Sequence, residues 1–600
     1  MPLYEYKKNA ENRISLPPEL EKNIICGNTE VLKSISDKIS RLKNGLVLFD
    51  GWYGVNWENL IKQLKHLLPD VEFTEAASLF KAPKQIDEYR ARFISDDPSF
   101  GWVNDTGILE DIMDDKKIGL FKKSVSSKNR TTVLYGTGSA IDSLASGADL
   151  IYYFDFTMQP LLWKMWDRKL VTFGFNVPDE SYAWKSYYYN DFYLLLRQKK
   201  SVFSKMNFYV DFVDELNPKL TDILTYNVII DELVKQPIKQ VKIAQPGPWG
   251  AYRYKDLWEI EGLECNAWNE LAGIELSVLI DWGGENQINI PAQNFMQRPV
   301  QMVGEYVNKT YPDLMPLQVW LDDGYFPEPV SFERSSMPIH NHPGTQYVNK
   351  HFNEPLGRYE TYYIIESYKG SSTWMGFKED ADLEEWERLC RESNNLKEIP
   401  NWQDFICCWD TNVGDLFLIP PGTSHGHGGN QMILEMDTGP SVAGTEYSFF
   451  AFDFARKTWD DEKKEMTAPP LKMHMEHAFD NDKFIREARV RNTHRARPVT
   501  IDGNGKFRKD QYSTLREMPF HIERIFFERH AENDTEGKYM QIVTLAEGKQ
   551  ITIRSKENPE YFTVLDRLQS CIIPAGYGKH EYINHDASHA MVVLIRLKKA

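Results

Sequence analysis

Two textures of apolar spacing divide this 600-residue chain. In the first 240 residues, short apolar runs alternate with helical periodicity. A polar helix pattern around 28–43 leads into Gly45-Leu-Val-Leu-Phe49, then Asp50-Gly51-Trp-Tyr-Gly54-Val-Asn-Trp-Glu-Asn-Leu-Ile, in the order strand, glycine turn, helix. Thr132-Val-Leu-Tyr135 runs into Gly136-Thr-Gly138, and Leu150-Ile-Tyr-Tyr-Phe154-Asp155 reads as a further strand. Strands alternating with helices predict an α/β unit with a mostly parallel sheet. The aromatic run Trp184, Tyr187, Tyr188, Tyr189, Phe192 and Tyr193 has helical spacing and reads as a packing face. The Pro/Gly cluster Gln245-Pro-Gly-Pro-Trp-Gly250 predicts a nearby boundary.

From 270 onward the runs are short and alternate apolar with polar: 274–280, 317–321, 360–365, 415–419, 432–436 and 448–452. Short strands between turn signals predict a β-sandwich or barrel. A polar helical insert, about 378–396, interrupts them. Residues 467–510 read as a basic linker with a helix around 480–491. Strand patterns return from His521 to Leu597 and predict a second barrel. The expected division is therefore an α/β domain over 1–240, a first β-barrel domain over 241–465 and a linker plus second barrel over 466–600.

Composition narrows the function. Lys and Arg number 70 against 87 Asp and Glu, a net charge of −17, which argues against nucleic acid as a partner. No run approaches the ~20 apolar residues of a membrane span, and the polar N-terminus lacks a signal-peptide core, so a cytoplasmic protein is expected. Six scattered cysteines do not make a disulfide framework, and the adjacent Cys407 and Cys408 read as buried thiols. The oligomeric state is not legible.

Histidine placement locates the chemistry. Of 14 histidines only His66 precedes His340. His340-Asn-His342-Pro343 is an H-x-H pair, and positions i and i+2 of a strand face one side. Downstream, Gly414-Asp-Leu-Phe-Leu-Ile-Pro420-Pro-Gly422-Thr-Ser-His425 is a strand ending in a tight turn that aims an imidazole. This spacing is similar to a cupin metal motif. Glu360, opening a strand between the two, adds a carboxylate. His340, His342, Glu360 and His425 are the expected metal ligands, a set suited to zinc, iron or manganese. His351 and His427 are weaker candidates. In the N-terminal half, Gly51-Trp-Tyr-Gly54-Val-Asn56-Trp57 resembles the phosphate loop of small-molecule kinases. Asn56 and Trp57 stand where that loop needs Lys and Ser/Thr, so a degenerate loop, a tight strand-to-helix turn, is expected.

Residues 245–600 resemble the type I phosphomannose isomerases. The resemblance rests on His340-Asn-His342-Pro343, Gly357-Arg-Tyr-Glu360, Gly376-Phe-Lys378, Pro420-Pro-Gly-Thr-Ser-His425, Ile433-Leu-Glu435 and Ile573-Pro-Ala-Gly576. It implies two cupin (jelly-roll) barrels, the second metal-free, and zinc-dependent interconversion of mannose 6-phosphate and fructose 6-phosphate or of a related sugar. By position it carries over His342, Glu360 and His425 as ligands, with His340 replacing a glutamine, and places Glu435 at the edge of the sugar pocket. Two positions depart: Arg358 replaces a lysine, and Ser448 replaces an arginine that serves the reaction. Arg456 is the candidate substitute for that arginine. Glu435 and Arg358 are the expected catalytic groups, assisting a metal that polarises the sugar oxygens. The alternatives are a non-catalytic, metal-containing sugar-binding protein and an iron-dependent oxygenase.

Overall fold

The computed structural model describes residues 3–247, 249–263, 268–273, 276–283, 287–326, 330–460 and 462–598. Cys265, and the first two residues of the expected strand 274–280, lie outside them. Contacts divide the chain into two units. Among the described residues no helix is long and apolar enough to cross a membrane.

The first unit carries the α/β pattern. The seven strands of its main sheet are β1 (Ile25–Cys26), β2 (Leu46–Gly51), β3 (Glu72–Glu75), β4 (Thr132–Tyr135), β5 (Leu150–Asp155), β6 (Phe208–Asp211) and β7 (Lys219–Asp222). They lie in the order β1-β7-β6-β5-β2-β4-β3, parallel from β6 to β3 and antiparallel at β7 and β1. Central strands buried on both faces read as unbroken apolar runs, which is why Leu46–Phe49 and Ile151–Phe154 carry almost no polar residue. Helix α1 (Asn28–Ser40) turns Val31, Leu32, Ile35 and Ile39 onto this core. At the end of β2 the buried Asp50 carboxylate takes Gly51 N and Gly138 N at 2.7 Å, Ala140 N at 2.9 Å and Gln198 Nε2 at 2.7 Å, tying down the Gly136–Gly138 turn.

The turn after β2 leads into α2 (Trp57–Leu67), capped by Asn56, whose side chain accepts from Asn59 N. Asn56 and Asn59 both donate from Nδ2 to Glu215, each at 2.9 Å. A carboxylate of the chain itself therefore sits beside the first helical turn, the place where a phosphate loop would hold its anion.

The second unit is antiparallel. One sheet of eight strands includes Trp268–Ala272, β8 (Leu317–Asp323), β10 (Glu360–Ser367), β13 (Leu416–Ile419) and β15 (Gln431–Thr438), with the central order β8-β15-β10-β13. A facing five-stranded sheet runs β12 (Ile406–Asp410), β11 (Ser372–Phe377), β14 (His425–His427), β9 (Ile339–Asn341) and β16 (Phe449–Phe452). Tyr362, Ile364, Met375, Phe417, Ile419 and Ile433 form the core between them. The helical insert is α3 (Leu383–Ser393), started by Asp382 accepting from Glu384 N and Glu385 N. A six-stranded and a four-stranded sheet over 498–597 enclose a further core around Val543, Ile551, Leu565 and Val592.

Four expectations differ from the structure. Ser277–Asn294 belongs to the first unit, because Leu279–Asp281 pairs in parallel with Glu11–Arg13. Tyr4–Ala10 belongs to the second, where Tyr4–Tyr6 pairs with Lys242–Ala244. The expected linker is built into the first barrel: Ile485 O accepts from Phe377 N at 2.8 Å, Gly422 O from Lys483 N at 2.8 Å, and Arg495–Ala496 pairs with Leu416–Phe417. Cys407 is buried but Cys408 is exposed, since neighbours on a strand face opposite sides.

Candidate metal centre

Histidines 340 and 425 are direct cross-strand partners of β9 and β14, and their ring centroids lie 4.2 Å apart. His342 follows β9 by one residue and turns its ring to the same side, 4.8 Å from that of His340. Two glycines permit this approach. Gly422 adopts φ +78°, gives its N–H to His342 O at 2.9 Å, and lies where a Cβ would come 2.6 Å from Asn481 O. A Cβ on Gly426 would meet Pro338 O at 2.8 Å. Glu360 enters from the facing sheet at the start of β10.

One donor atom from each of His340, His342, Glu360 and His425 lies within 4.8 Å of every other, and all four residues are buried. Each imidazole Nδ1 meets a backbone carbonyl: His340 to Pro338 at 2.9 Å, His342 to Tyr447 at 3.3 Å and His425 to Thr423 at 2.8 Å. A carbonyl only accepts, so each Nδ1 carries the proton and each Nε2 presents a lone pair. Burial pushes the His340 pKa well down and that of His342 to about 4, which keeps both rings neutral. Yet Nε2 of His342 and of His425 stand 2.9 and 2.8 Å from Glu360 Oε2. Lone pairs facing a carboxylate at that range repel unless a cation lies between them. Ligands around a tetrahedral zinc at ~2.0–2.1 Å are separated by roughly 3.3 Å, so this donor set fits a divalent ion with little movement.

Arg358, two residues before Glu360, is the hub of the polar network. Its Nε donates to Asp437 at 2.8 Å, Nη1 to Ser448 at 3.0 Å and Glu446 at 3.3 Å, and Nη2 to Glu360 at 3.0 Å and Glu435 at 3.4 Å. Burial disfavours its charge, but Asp437, Glu360, Glu446 and Glu435 more than offset this and raise its pKa. The Glu360 carboxyl, pushed up by burial, is pulled well below the usual range by the positive charge gathered around it. Glu435 is held well above that range by burial and then by Asp322 and Glu360, and Asp437 is pushed to about 8, chiefly by burial. Glu360, Glu435 and Asp437 also present oxygens within 4.8 Å of one another. Arg358 contacts all three, so a guanidinium already serves that trio.

A narrow cleft of about 30 Å³, enough for one or two waters, opens beside His340 and Arg358. Trp249, Trp268, Trp320, Asp322, Glu435 and Glu446 line it. The structure thus brings together all four expected ligands and both expected catalytic groups. Ser448 lines the same cleft, its Oγ within hydrogen-bond reach of Arg358. Arg456 does not line it: Nη1 donates to Arg334 O at 3.1 Å and its Nη2 stands 2.8 Å from Asp453. His427 lies behind the cluster, with Nε2 3.3 Å from Asp322 Oδ2, and His351 stacks on Tyr347 at 4.2 Å, away from it. Sequence reasoning missed Asp437, Glu446, Asp322 and the three tryptophans. Asp437 was within reach, because it follows Glu435 by two on one strand and so shares its face.

Residues 27–235 match the family described as Domain of unknown function (DUF8485). The chain is 25% identical over 130 residues to Mannose-6-phosphate isomerase ManA of Bacillus subtilis (strain 168), across 22% of this chain and 37% of that protein. It is 26% identical over 144 residues to Mannose-6-phosphate isomerase of Streptococcus mutans serotype c, across 24% of this chain and 39% of that protein. The chain thus spans well under half the length of these curated relatives. Among solved structures, it is similar to the mannose 6-phosphate isomerase from Bacillus subtilis, with 16% identity, 60% of this chain and 99% of that chain covered, and a TM-score of 0.45.

Proposed function

We propose that this chain is a metal-dependent aldose–ketose isomerase built on two cupin barrels, with His340, His342, Glu360 and His425 holding zinc, or iron or manganese in its place. The observation that carries the reading is the convergence of three Nε2 lone pairs and one carboxylate beside an acidic, aromatic cleft. The partial similarity to two mannose-6-phosphate isomerases supports the reaction class.

A bound divalent ion would supply Lewis-acid polarisation of the sugar oxygens. The rest falls to the chain's own groups. Isomerisation moves a proton between C1 and C2 through an enediol, which needs a group that takes and returns it. Glu435 suits that role: it lines the cleft, and its Oε1 has no hydrogen-bond partner among the described residues. Arg358 holds Glu435, Glu360 and Asp437 in one arrangement, and Asp322, from the strand paired with that of Glu435, adds an acceptor for a sugar hydroxyl. For residues 27–235 we propose a degenerate kinase-like unit without nucleotide chemistry, supported by the parallel sheet and by Glu215 beside the first turn of α2.

The test is a coupled aldose-to-ketose assay on full-length protein of measured metal content, run with hexoses, pentoses and hexose 6-phosphates. Turnover of at least one sugar, lost on chelation, restored by zinc and absent in His425→Ala, is expected. Silence on every sugar with one equivalent of metal bound would sink the isomerase reading.

A further inference from the structure

We infer that the site beside the histidine cluster receives an unphosphorylated sugar, its hydroxyls entering the mouth of the narrow cleft, in preference to a sugar phosphate. This rests on the sugar-isomerase reading of the site and narrows its substrate class.

The first argument is donor supply. Arg358 is the sole Lys or Arg lining the cleft among the described residues. A guanidinium has five N–H groups. All are committed: Nε to Asp437, Nη1 to Glu446 and Ser448, Nη2 to Glu360 and Glu435. A phosphate would have to displace a carboxylate from the guanidinium to be held by it. Arg456 is fixed by Arg334 O and Asp453 and does not reach the cleft.

The second argument is charge. Asp322, Glu435 and Glu446 line the cleft, and Glu360 and Asp437 lie directly behind Arg358. One guanidinium and one divalent ion do not outweigh these acids: even with Glu435 and Asp437 protonated the formal charge only reaches zero, so a bound ion does not turn the site into a receptor for a dianion.

The third argument is what the cleft offers instead. The indole Nε1 groups of Trp249, Trp268 and Trp320 are buried and have no partner among the described residues, and neither has Glu435 Oε1. Burying a donor without a partner costs about 1–3 kcal/mol. Three such donors on residues that line one cleft, with an unpaired acceptor on Glu435 of the same lining, are matched by hydroxyl groups, which both accept and donate. Trp249 and Trp268 stack at 5.0 Å and add aromatic surface for the C–H face of a sugar ring. A phosphate group adds acceptors and charge to those hydroxyls, and the cleft lining has no uncommitted Lys or Arg N–H among the described residues to meet them.

The experiment uses the metal-loaded full-length protein. Binding of D-mannose, D-lyxose and mannose 6-phosphate is followed by tryptophan fluorescence and by titration calorimetry, alongside isomerase kinetics. A free aldose binding at least ten-fold tighter than mannose 6-phosphate is expected. Trp268→Phe keeps the ring but removes the N–H and should weaken the free sugar several-fold. Glu446→Gln, at a side chain one-third exposed, lowers the negative charge beside Arg358 and should narrow the gap between the two ligands. Mannose 6-phosphate binding as tightly as free sugar, or neither sugar binding, overturns the inference. Free sugar bound but never converted sinks the isomerase reading and leaves this inference standing. Tight binding and conversion of mannose 6-phosphate does the reverse.

Discussion

Replacing Arg358 with Met tests the network on which the site is built. The side chains of Arg358, Glu360, Glu435 and Asp437 are each no more than 4% exposed. Removing one partner of a buried ion pair costs about 3–5 kcal/mol, because the other charge is left without compensation. Glu446 is one-third exposed and adds at most about 1 kcal/mol. A loss of about 4 kcal/mol is therefore expected, confined to the second unit. A chain of two units need not unfold in one step, so a global midpoint is the wrong readout. Hydrogen exchange of peptides covering Glu360–Ser367 and Gln431–Thr438 reports the local value. At 1.4 kcal/mol per decade, exchange there should accelerate roughly a thousand-fold while β2 and β5 stay unchanged. Arg358→Lys, with three N–H groups for five acceptors, should fall between. Exchange in Arg358→Met within ten-fold of the wild type would refute the reasoning.

Three further outcomes follow from the same structure. Zinc at a hundred-fold excess over its Kd should stabilise the second unit by about 2.7 kcal/mol against chelated protein, and His425→Ala should erase the difference in thermal midpoint. Gly422→Ala meets φ +78° and the Asn481 carbonyl 2.6 Å away, so it should cost about 1–3 kcal/mol and lower metal content, read by thermal denaturation and metal analysis. Lys242 is buried between the rings of Tyr6 and Trp258, at 5.1 and 4.7 Å, and burial lowers its pKa to about 7, against roughly 10.4 unfolded. The unfolded state binds the extra proton between those values, so stability should rise from pH 7 towards 10 by up to about 1.4 kcal/mol per unit, less whatever the ring faces return to the cation. Lys242→Met should flatten that slope in urea titrations at pH 7 and 9.

The clustering of His340, His342 and His425 was legible because each half of the pattern is local. An i, i+2 histidine pair needs only the alternation of a strand, and Gly422 announces the turn that aims His425. Glu435 and Arg358 came from the family resemblance. The rest of the cleft depends on register. Trp320 meets Glu435 because β8 pairs with β15, and Tyr362 meets Glu435 because β10 pairs on its other side. Those partners are more than 100 and 70 residues apart in sequence, and no local pattern encodes such pairing. The same reason explains Ser277–Asn294, whose alternation marked strands but could not say that their partner was Glu11–Arg13. Arg456 was a plausible replacement for a missing guanidinium by sequence proximity. The fold answers otherwise: Arg358 reaches Ser448 itself, so a guanidinium already stands at that position from across the barrel.

That placement bears on how the site works. Four carboxylates gathered around one guanidinium oppose folding, and burial raises the proton affinity of Glu435 and Asp437 further. A chain under selection for stability alone would exchange such a cluster for apolar residues. Three indole donors without a partner among the described residues carry a second penalty. On the proposed reading two ligands would relieve these penalties, a divalent ion among the lone pairs and a polyhydroxyl ligand against the indoles and carboxylates. Local rules are broken where function demands it, and here the broken rules lie side by side. An arginine locked by its own carboxylates orients them, and on the proposed reading it is the carboxylates, rather than the arginine, that would meet a sugar.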